Sequence, residues 1–373
     1  MKIIFAAGGT GGHINPALAA AGEIRNRYPE AQILFIGTKD KMEATLVPKA
    51  GFDFKTISIS GFQRKLTIQN IGRNIATLWR LLGSGSAVRK IIKEFEPDVV
   101  VGFGGYVSGP VVRTAAKMGI KTAIHEQNAF PGVTNKMLAK EADAVMLTVP
   151  EAEKYLECKN KPIITGLPVR GEILEADRDF ARVELGIDDD RLLIFSFGGS
   201  LGARTINTSM VKLISELHET GKCSFIHAYG QYGKWVPDAL RDAGVDIDKE
   251  KHIDVREYIY NMDKCLAAAD LIICRSGAST LAEIEAIGRA SVLIPSPNVA
   301  ENHQYHNAMA LVNAGAAKVI EEKDLTDELL LKTVNELIEN QRLLSVMGEN
   351  AKKLAVPDSQ KKICDVILSL INN

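Results

Sequence analysis

The sequence predicts an α/β fold built from two Rossmann-like domains, each a parallel sheet covered by helices. Three observations predict it. Short apolar runs alternate with longer amphipathic stretches along the whole 373-residue chain, the alternation expected of parallel strands and crossover helices. The chain falls into two such series on either side of a Pro- and Gly-bounded segment, Pro162–Pro168, that can serve as a hinge. The two series also begin alike. Lys2-Ile3-Ile4-Phe5-Ala6-Ala7-Gly8-Gly9 and Leu192-Leu193-Ile194-Phe195-Ser196-Phe197-Gly198-Gly199 both read as a buried strand, a double glycine and then a helix.

In chain order, the first series predicts strands at Lys2–Ala6, Gln32–Ile36, Val99–Gly102, Thr122–His125 and Ala144–Leu147. The second predicts Leu192–Ser196, Ser224–Ala228, His252–Val255, Leu271–Cys274 and Ser291–Pro295. Asp358–Asn373 reads as a closing helix after Pro357. The expected division is residues 1–164 and 165–356 as the two domains, with 357–373 as the terminal helix.

Composition bounds the function. Hydrophobic residues at 46% and charged residues at 24% are those of an ordinary globular chain, which speaks against disorder. Lys plus Arg number 45 against 46 Asp plus Glu, so the surplus of basic side chains that phosphate-backbone binding needs is missing and no nucleic-acid partner is expected. Five scattered cysteines, Cys158, Cys223, Cys265, Cys274 and Cys364, without a CxxC spacing read as reduced, buried thiols. Met1–Ala7 is too short for a signal-peptide core. The longest charge-free run, Val99–Val112, is broken by Gly and Pro and falls short of the roughly 20 residues of a membrane span. A cytoplasmic protein with at most peripheral membrane contact is expected.

Three strand ends carry glycine clusters: Gly8-Gly9-Thr10-Gly11-Gly12-His13, Gly102-Phe103-Gly104-Gly105-Tyr106 and Gly198-Gly199-Ser200-Leu201-Gly202. Glycine lets backbone approach a ligand closely, and a following helix N-terminus offers N–H groups to phosphate. Tight strand-to-helix packing explains any one of them; three together favour anion binding. A dinucleotide fits poorly, because the first loop lacks GxGxxG and the second strand ends in Gly37-Thr38 rather than an acidic residue. The phosphate is therefore assigned to a substrate, and no cofactor is expected. In Cys274-Arg275-Ser276-Gly277-Ala278-Ser279-Thr280-Leu281-Ala282-Glu283, a strand leads through a Ser-Gly turn into a helix. Glu283 lies about one turn in, where it can chelate a ribose diol while the helix end meets a diphosphate; a helix-capping role is the alternative. His13 can act as a base near neutral pH or as a phosphate-contacting or capping residue. His125-Glu126-Gln127-Asn128 gathers polar groups at a strand end, an arrangement expected to face a ligand. His303 and His306 lack a third ligand at useful spacing, so no metal site is expected, and Asp246-Ile247-Asp248 reads as solvated surface.

Taken together, Gly8–His13, Gly102–Pro110, His125–Asn128, Gly166–Arg170, Gly198–Arg204, Arg275–Glu283 and His303-Gln304 resemble the MurG family, the bacterial transferases that convert lipid I to lipid II in peptidoglycan synthesis. The resemblance implies a GT-B fold, with a cleft between two Rossmann-like domains and a C-terminal helix crossing back to the first. It implies UDP-N-acetylglucosamine as donor, with Glu283 on the uridine ribose, Ile259 beside the uracil, Gly277, Ala278, Ser279, Thr280, Leu281 and Ala282 around the diphosphate, and Arg275 among the donor-binding residues. Ser200 and Arg170 would meet phosphates and Gln304 the sugar hydroxyls. Thr10, Gly11, Gly12 and Asn128 would close the sugar pocket. Gly104, Gly105 and Tyr106 would meet the acceptor pyrophosphate. His13 would be the general base of an inverting, metal-independent transfer to the undecaprenyl-linked acceptor, lipid I. In this chain Pro295–Gln304 is one residue longer than the usual spacing, and His303 stands where many members have Gln.

Residues 64–82 carry apolar side chains at helical spacing, interleaved with Arg64, Lys65, Arg73 and Arg80. With a lipid-linked acceptor this reads as a patch for an anionic membrane surface, placing the protein peripherally on the cytoplasmic face, where other cell-wall proteins are further candidate partners. The alternatives are a UDP-N-acetylglucosamine 2-epimerase of the same architecture, or a non-catalytic nucleotide-sugar-binding protein at the membrane.

Overall fold

The structure, a computed structural model, describes residues 1–58, 85–188 and 190–372. They form two compact units: Met1–Pro168 together with Asp358–Asn373, and Val169–Pro357. The change of unit falls at Pro168 rather than at residue 164, because the amides of Thr165 and Gly166 both bond to the Leu147 carbonyl, at 2.9 and 3.2 Å, and stay with the first sheet.

In the first unit the strands are β1 (Lys2–Ala6), β2 (Gln32–Gly37), β3 (Asp53–Thr56), β4 (Val99–Gly102), β5 (Lys121–Glu126), β6 (Ala144–Leu147) and β7 (Ile163–Ile164). They pair in parallel in the order β3-β2-β1-β4-β5-β6-β7. Helices cover both faces, which is why the central strands are apolar throughout rather than alternating. Ile3 and Phe5 pack into one layer of core and Ile4 and Ala6 into the other. The terminal helix Ser359–Ile371 lies on the first of these layers, burying Ile363, Cys364 and Ile367 beside Ile3, Phe5 and Ala20.

The second unit repeats the plan. Its strands are β8 (Leu192–Phe197), β9 (Cys223–Ala228), β10 (Ile253–Arg256), β11 (Leu271–Cys274), β12 (Ala290–Leu293) and β13 (Ala317–Val319), parallel in the order β10-β9-β8-β11-β12-β13. The chain thus winds from its first strand to one edge, then returns to the other side of that strand, in both units. The matching openings of β1 and β8 occupy matching central places.

Three strands escape the sequence pattern: β3, β7 and β13. Each is short, at a sheet edge and partly exposed, so neither burial nor alternation marks it. Of the cysteines, Cys158 is only partly buried; the other four are buried, and all five are free thiols. Asp246 and Asp248 sit on the surface, paired with Lys249 and Arg241. The amphipathic stretch 64–82 lies outside the described residues.

Candidate active site

Where strand order reverses, neighbouring connections leave in opposite directions and open a crevice beyond the carboxyl ends of the strands. In the first unit that point is between β1 and β4; in the second it is between β8 and β11. The segments Gly8–His13, Gly102–Tyr106, Gly198–Gly202 and Arg275–Glu283 leave from these four strand ends.

In the first unit, Thr10 stands at the N-cap of the helix Gly11–Arg27 in an extended conformation, and its side chain does not cap. Its hydroxyl lies 3.3 Å from His13 Nδ1, which also lies 3.1 Å from the Gly8 carbonyl oxygen. A carbonyl only accepts, so Nδ1 carries a proton, and in the neutral ring Nε2 carries the lone pair. The ring rests on Gly104: at φ +98° a Cβ there would stand 2.8 Å from His13 Cδ2 and 3.1 Å from Nε2. A Cβ at Gly105 would run into the Gly8 carbonyl. Only glycine lets the two loops close on each other. Buried Ser108 fastens them, accepting from the Gly104 amide at 2.9 Å and donating to the Ala6 carbonyl at 2.7 Å. Tyr106 is exposed at the rim.

The cluster His125–Asn128 differs from its expectation. His125, Glu126 and Gln127 are buried and serve the protein. His125 Nε2 donates to the Gly166 carbonyl at 3.0 Å, and Nδ1 accepts from Gln127 Nε2 at 3.1 Å. Burial pushes His125 down to about 4, so the ring is neutral near pH 7. Gln127 Nε2 also lies 3.0 Å from the Phe103 carbonyl oxygen, linking this network to the second glycine loop. Glu126 accepts from the Asn128 side chain at 3.1 Å and from Asn135 Nδ2 at 2.8 Å. Burial raises its pKa and these donors oppose the rise. Asn128 alone reaches the half-exposed layer, with its amide oriented by Glu126.

In the second unit, Gly277 is the N-cap of the helix Ala278–Ile287 and no side chain caps it. The first-turn N–H groups, around Ala278, Ser279 and Thr280, have no acceptor within the helix by its geometry. Glu283 therefore does not cap. Its Oε1 accepts from Arg170 Nε at 3.1 Å and Nη2 at 2.9 Å. Burial raises the Glu283 pKa, and the Arg170 charge opposes it. Leu281, Ala282 and Ile259 are buried, so what they can offer a ligand is backbone; exposed Tyr258 and Tyr260 flank Ile259. Ser200 is exposed on its loop. Arg275 is engaged elsewhere. Its Nη1 donates to the carbonyls of Ile294 and Pro295, both at 3.1 Å, and its Nη2 pairs with Glu322. It braces the loop after β12 instead of pointing at the helix end. Gln304 sits at the foot of that loop, with Oε1 accepting from the Ser296 amide at 2.8 Å and its carbonyl accepting from Ser276 Oγ at 2.8 Å. Its Oε1 thus holds Ser296, and the Nε2 end of the amide is the end left to donate. Among the described residues no cluster of three or more His, Cys, Asp or Glu could hold a metal.

Residues that sequence reading missed are those that hold the loops: Ser108, Asn135 and above all Glu43, which is fully buried and accepts from the Gly9 amide at 3.1 Å. Glu43 follows Met42 at the start of a short helix, where an acid reads as ordinary solvated surface; no local signal marks it.

Residues 3–147 match the Glycosyltransferase family 28 N-terminal domain, and residues 193–363 match the Glycosyltransferase family 28 C-terminal domain. A relative from Desulforamulus reducens is 43% identical over 372 residues, covering 100% of this chain and 99% of its own. One from Thermoanaerobacter sp. strain X514 is 46% identical over 370 residues, covering 99% and 100%. Both are named UDP-N-acetylglucosamine--N-acetylmuramyl-(pentapeptide) pyrophosphoryl-undecaprenol N-acetylglucosamine transferase. The chain belongs to the MurG family of glycosyltransferases. MurG from Acinetobacter baumannii, a solved structure 30% identical, superposes with a TM-score of 0.81 and 99% coverage of both chains. A UDP-GlcNAc 2-epimerase from Neisseria meningitidis shares the GT-B architecture, at TM-score 0.65 and 14% identity, a likeness of fold alone. Full-length identity thus separates this MurG-family chain from the epimerase alternative.

Proposed function

We propose that the chain transfers N-acetylglucosamine from UDP-N-acetylglucosamine to the C4 hydroxyl of the muramyl sugar of lipid I, giving lipid II. The observation that carries this reading is identity of 43% and 46% over the full length to proteins named for that transfer. The residues fit the chemistry. The first turn of the helix Ala278–Ile287 offers N–H groups to the diphosphate, and Glu283 offers a carboxylate to the ribose. Arg170, already beside Glu283, adds a positive charge where the departing UDP gains negative charge. His13 holds its lone pair on Nε2. The acceptor hydroxyl gives its proton to that nitrogen, its oxygen bonds to the anomeric carbon, and the bond from that carbon to the diphosphate breaks, its electron pair leaving with UDP. Attack opposite the leaving group inverts the anomeric centre and yields a β-1,4 link.

An undecaprenyl-linked acceptor implies work at the cytoplasmic face of the membrane. Among the described residues no helix is long and apolar enough to cross one. Surface contact is supported by the sequence of residues 64–82 and by the helix Ser86–Phe95, whose Arg89, Lys90 and Lys93, with Lys117, line a groove of about 650 Å³. The test is to mix the purified protein with labelled UDP-N-acetylglucosamine and a lipid I analogue. Label should move to the lipid product only when the acceptor is present. Conversion of the donor to its 2-epimer without acceptor, or no turnover at all, overturns the reading.

A further inference from the structure

The Glu43 carboxylate is the most enclosed acid next to the first glycine loop. It is fully buried, and among the described residues no Lys, Arg or His side chain pairs with it. Every contact it makes is with a donor. Oε2 accepts from the Gly9 amide at 3.1 Å, and Oε1 accepts from the Thr38 amide at 3.1 Å and the Thr38 hydroxyl at 2.6 Å. Three donors and no acceptor suit the ionised form. The surrounding backbone is shaped to admit it: a Cβ at Gly8 would stand 2.8 Å from Oε1, and one at Gly37 2.6 Å from Cγ.

The Gly9 amide and the Gly8 carbonyl belong to one peptide unit. In a trans peptide the N–H and the C=O point in opposite directions. On one side the N–H meets Glu43, and on the other the C=O meets His13 Nδ1 at 3.1 Å. We propose that Glu43 is a positioning residue for the transfer, acting on His13 through the Gly8–Gly9 peptide. It fixes the plane of that peptide, which fixes the ring and keeps the proton on Nδ1. Its charge also polarises the peptide, making the Gly8 oxygen a stronger acceptor and His13 Nε2 a stronger base. The arrangement does with a peptide interposed what a carboxylate bonded directly to imidazole does in a hydrolytic triad.

This inference rests on His13 being the base, and the experiment separates the two. His13→Ala and Glu43→Gln are assayed side by side with the lipid I analogue. Normal turnover in His13→Ala defeats the base assignment itself. With His13→Ala inactive, Glu43→Gln should lose about 10-fold or more in kcat with little change in KM for UDP-N-acetylglucosamine. The acid limb of its pH–rate profile should move to lower pH. A folded Glu43→Gln with wild-type kcat and pH profile overturns the proposal, as does one whose KM alone rises with the limb unmoved. If Glu43→Gln does not fold, nitrogen NMR of histidine-labelled wild-type protein decides. A proton on His13 Nδ1 sustains the relay, and a proton on Nε2 in the neutral ring overturns it.

Discussion

Replacing Glu283 by Ala tests the donor site most sharply, because the structure lets its effects on binding and on stability be told apart. A hydrogen bond to a charged group contributes about 1.5–3 kcal/mol, and one such bond to the ribose is the minimum that Glu283 would supply. At about 1.4 kcal/mol per decade, UDP should bind roughly 10- to 150-fold more weakly. The Arg170 side chain is 53% exposed, so its pair with Glu283 adds only about 0–1 kcal/mol to stability, and the thermal midpoint should fall by no more than a few degrees. Titration calorimetry with UDP, alongside thermal unfolding, measures both. A pH series adds a sign. Burial lifts the Glu283 pKa and Arg170 opposes the lift, so affinity should weaken as pH falls through that raised value, where the carboxylate takes up a proton. Arg170→Ala removes the opposition, so the weakening should begin at higher pH. Unchanged UDP affinity in folded Glu283→Ala, or an acid limb that moves down in Arg170→Ala, would refute the reasoning.

His13→Ala should lower kcat by about 100-fold or more while UDP affinity, measured by calorimetry, stays near that of the wild type. His125 and His227 are both buried and pushed down to about 4, below the ordinary histidine value. The unfolded chain takes up their protons first, so denaturant-measured stability should be full above about pH 6.5 and fall as pH drops from there towards 4. A flat profile across that window would show that neither ring stays neutral. Binding to anionic vesicles should weaken with added salt, which shortens the Debye length, and weaken again when Trp79 and Leu82 become Ser. Salt-independent binding removes the basic patch, and unfolding of the double variant returns those side chains to the core.

The sequence showed the central strands and the loops at their ends because both leave strong local marks: apolar runs long enough to be buried on two faces, and glycines where only glycine fits. Leu271–Cys274 was legible to the residue. Asp53–Thr56 was not, since an edge strand with three exposed residues has no periodicity to read. At the candidate site the same division holds. His13 and Glu283 could be singled out from the loops they follow. Arg275 was grouped with the donor-binding residues by its neighbours in sequence, and only the folded chain shows its guanidinium turned to the Ile294 and Pro295 carbonyls. Glu43 and Ser108 act on backbone that is distant in sequence, and such contacts exist only once the chain has folded.

The terminal helix Ser359–Ile371 belongs to the core of the first unit, although the whole second unit precedes it in the chain. The second unit is in effect an insertion, leaving at Pro168 and returning at Asp358. During synthesis it can therefore finish while the first unit still lacks the helix that covers Ile3, Phe5 and Ala20. The half that is translated first is completed last. Without the helix Ser359–Ile371 the apolar layer of Ile3, Phe5 and Ala20 would face water, while the second unit would keep a core built wholly from its own residues.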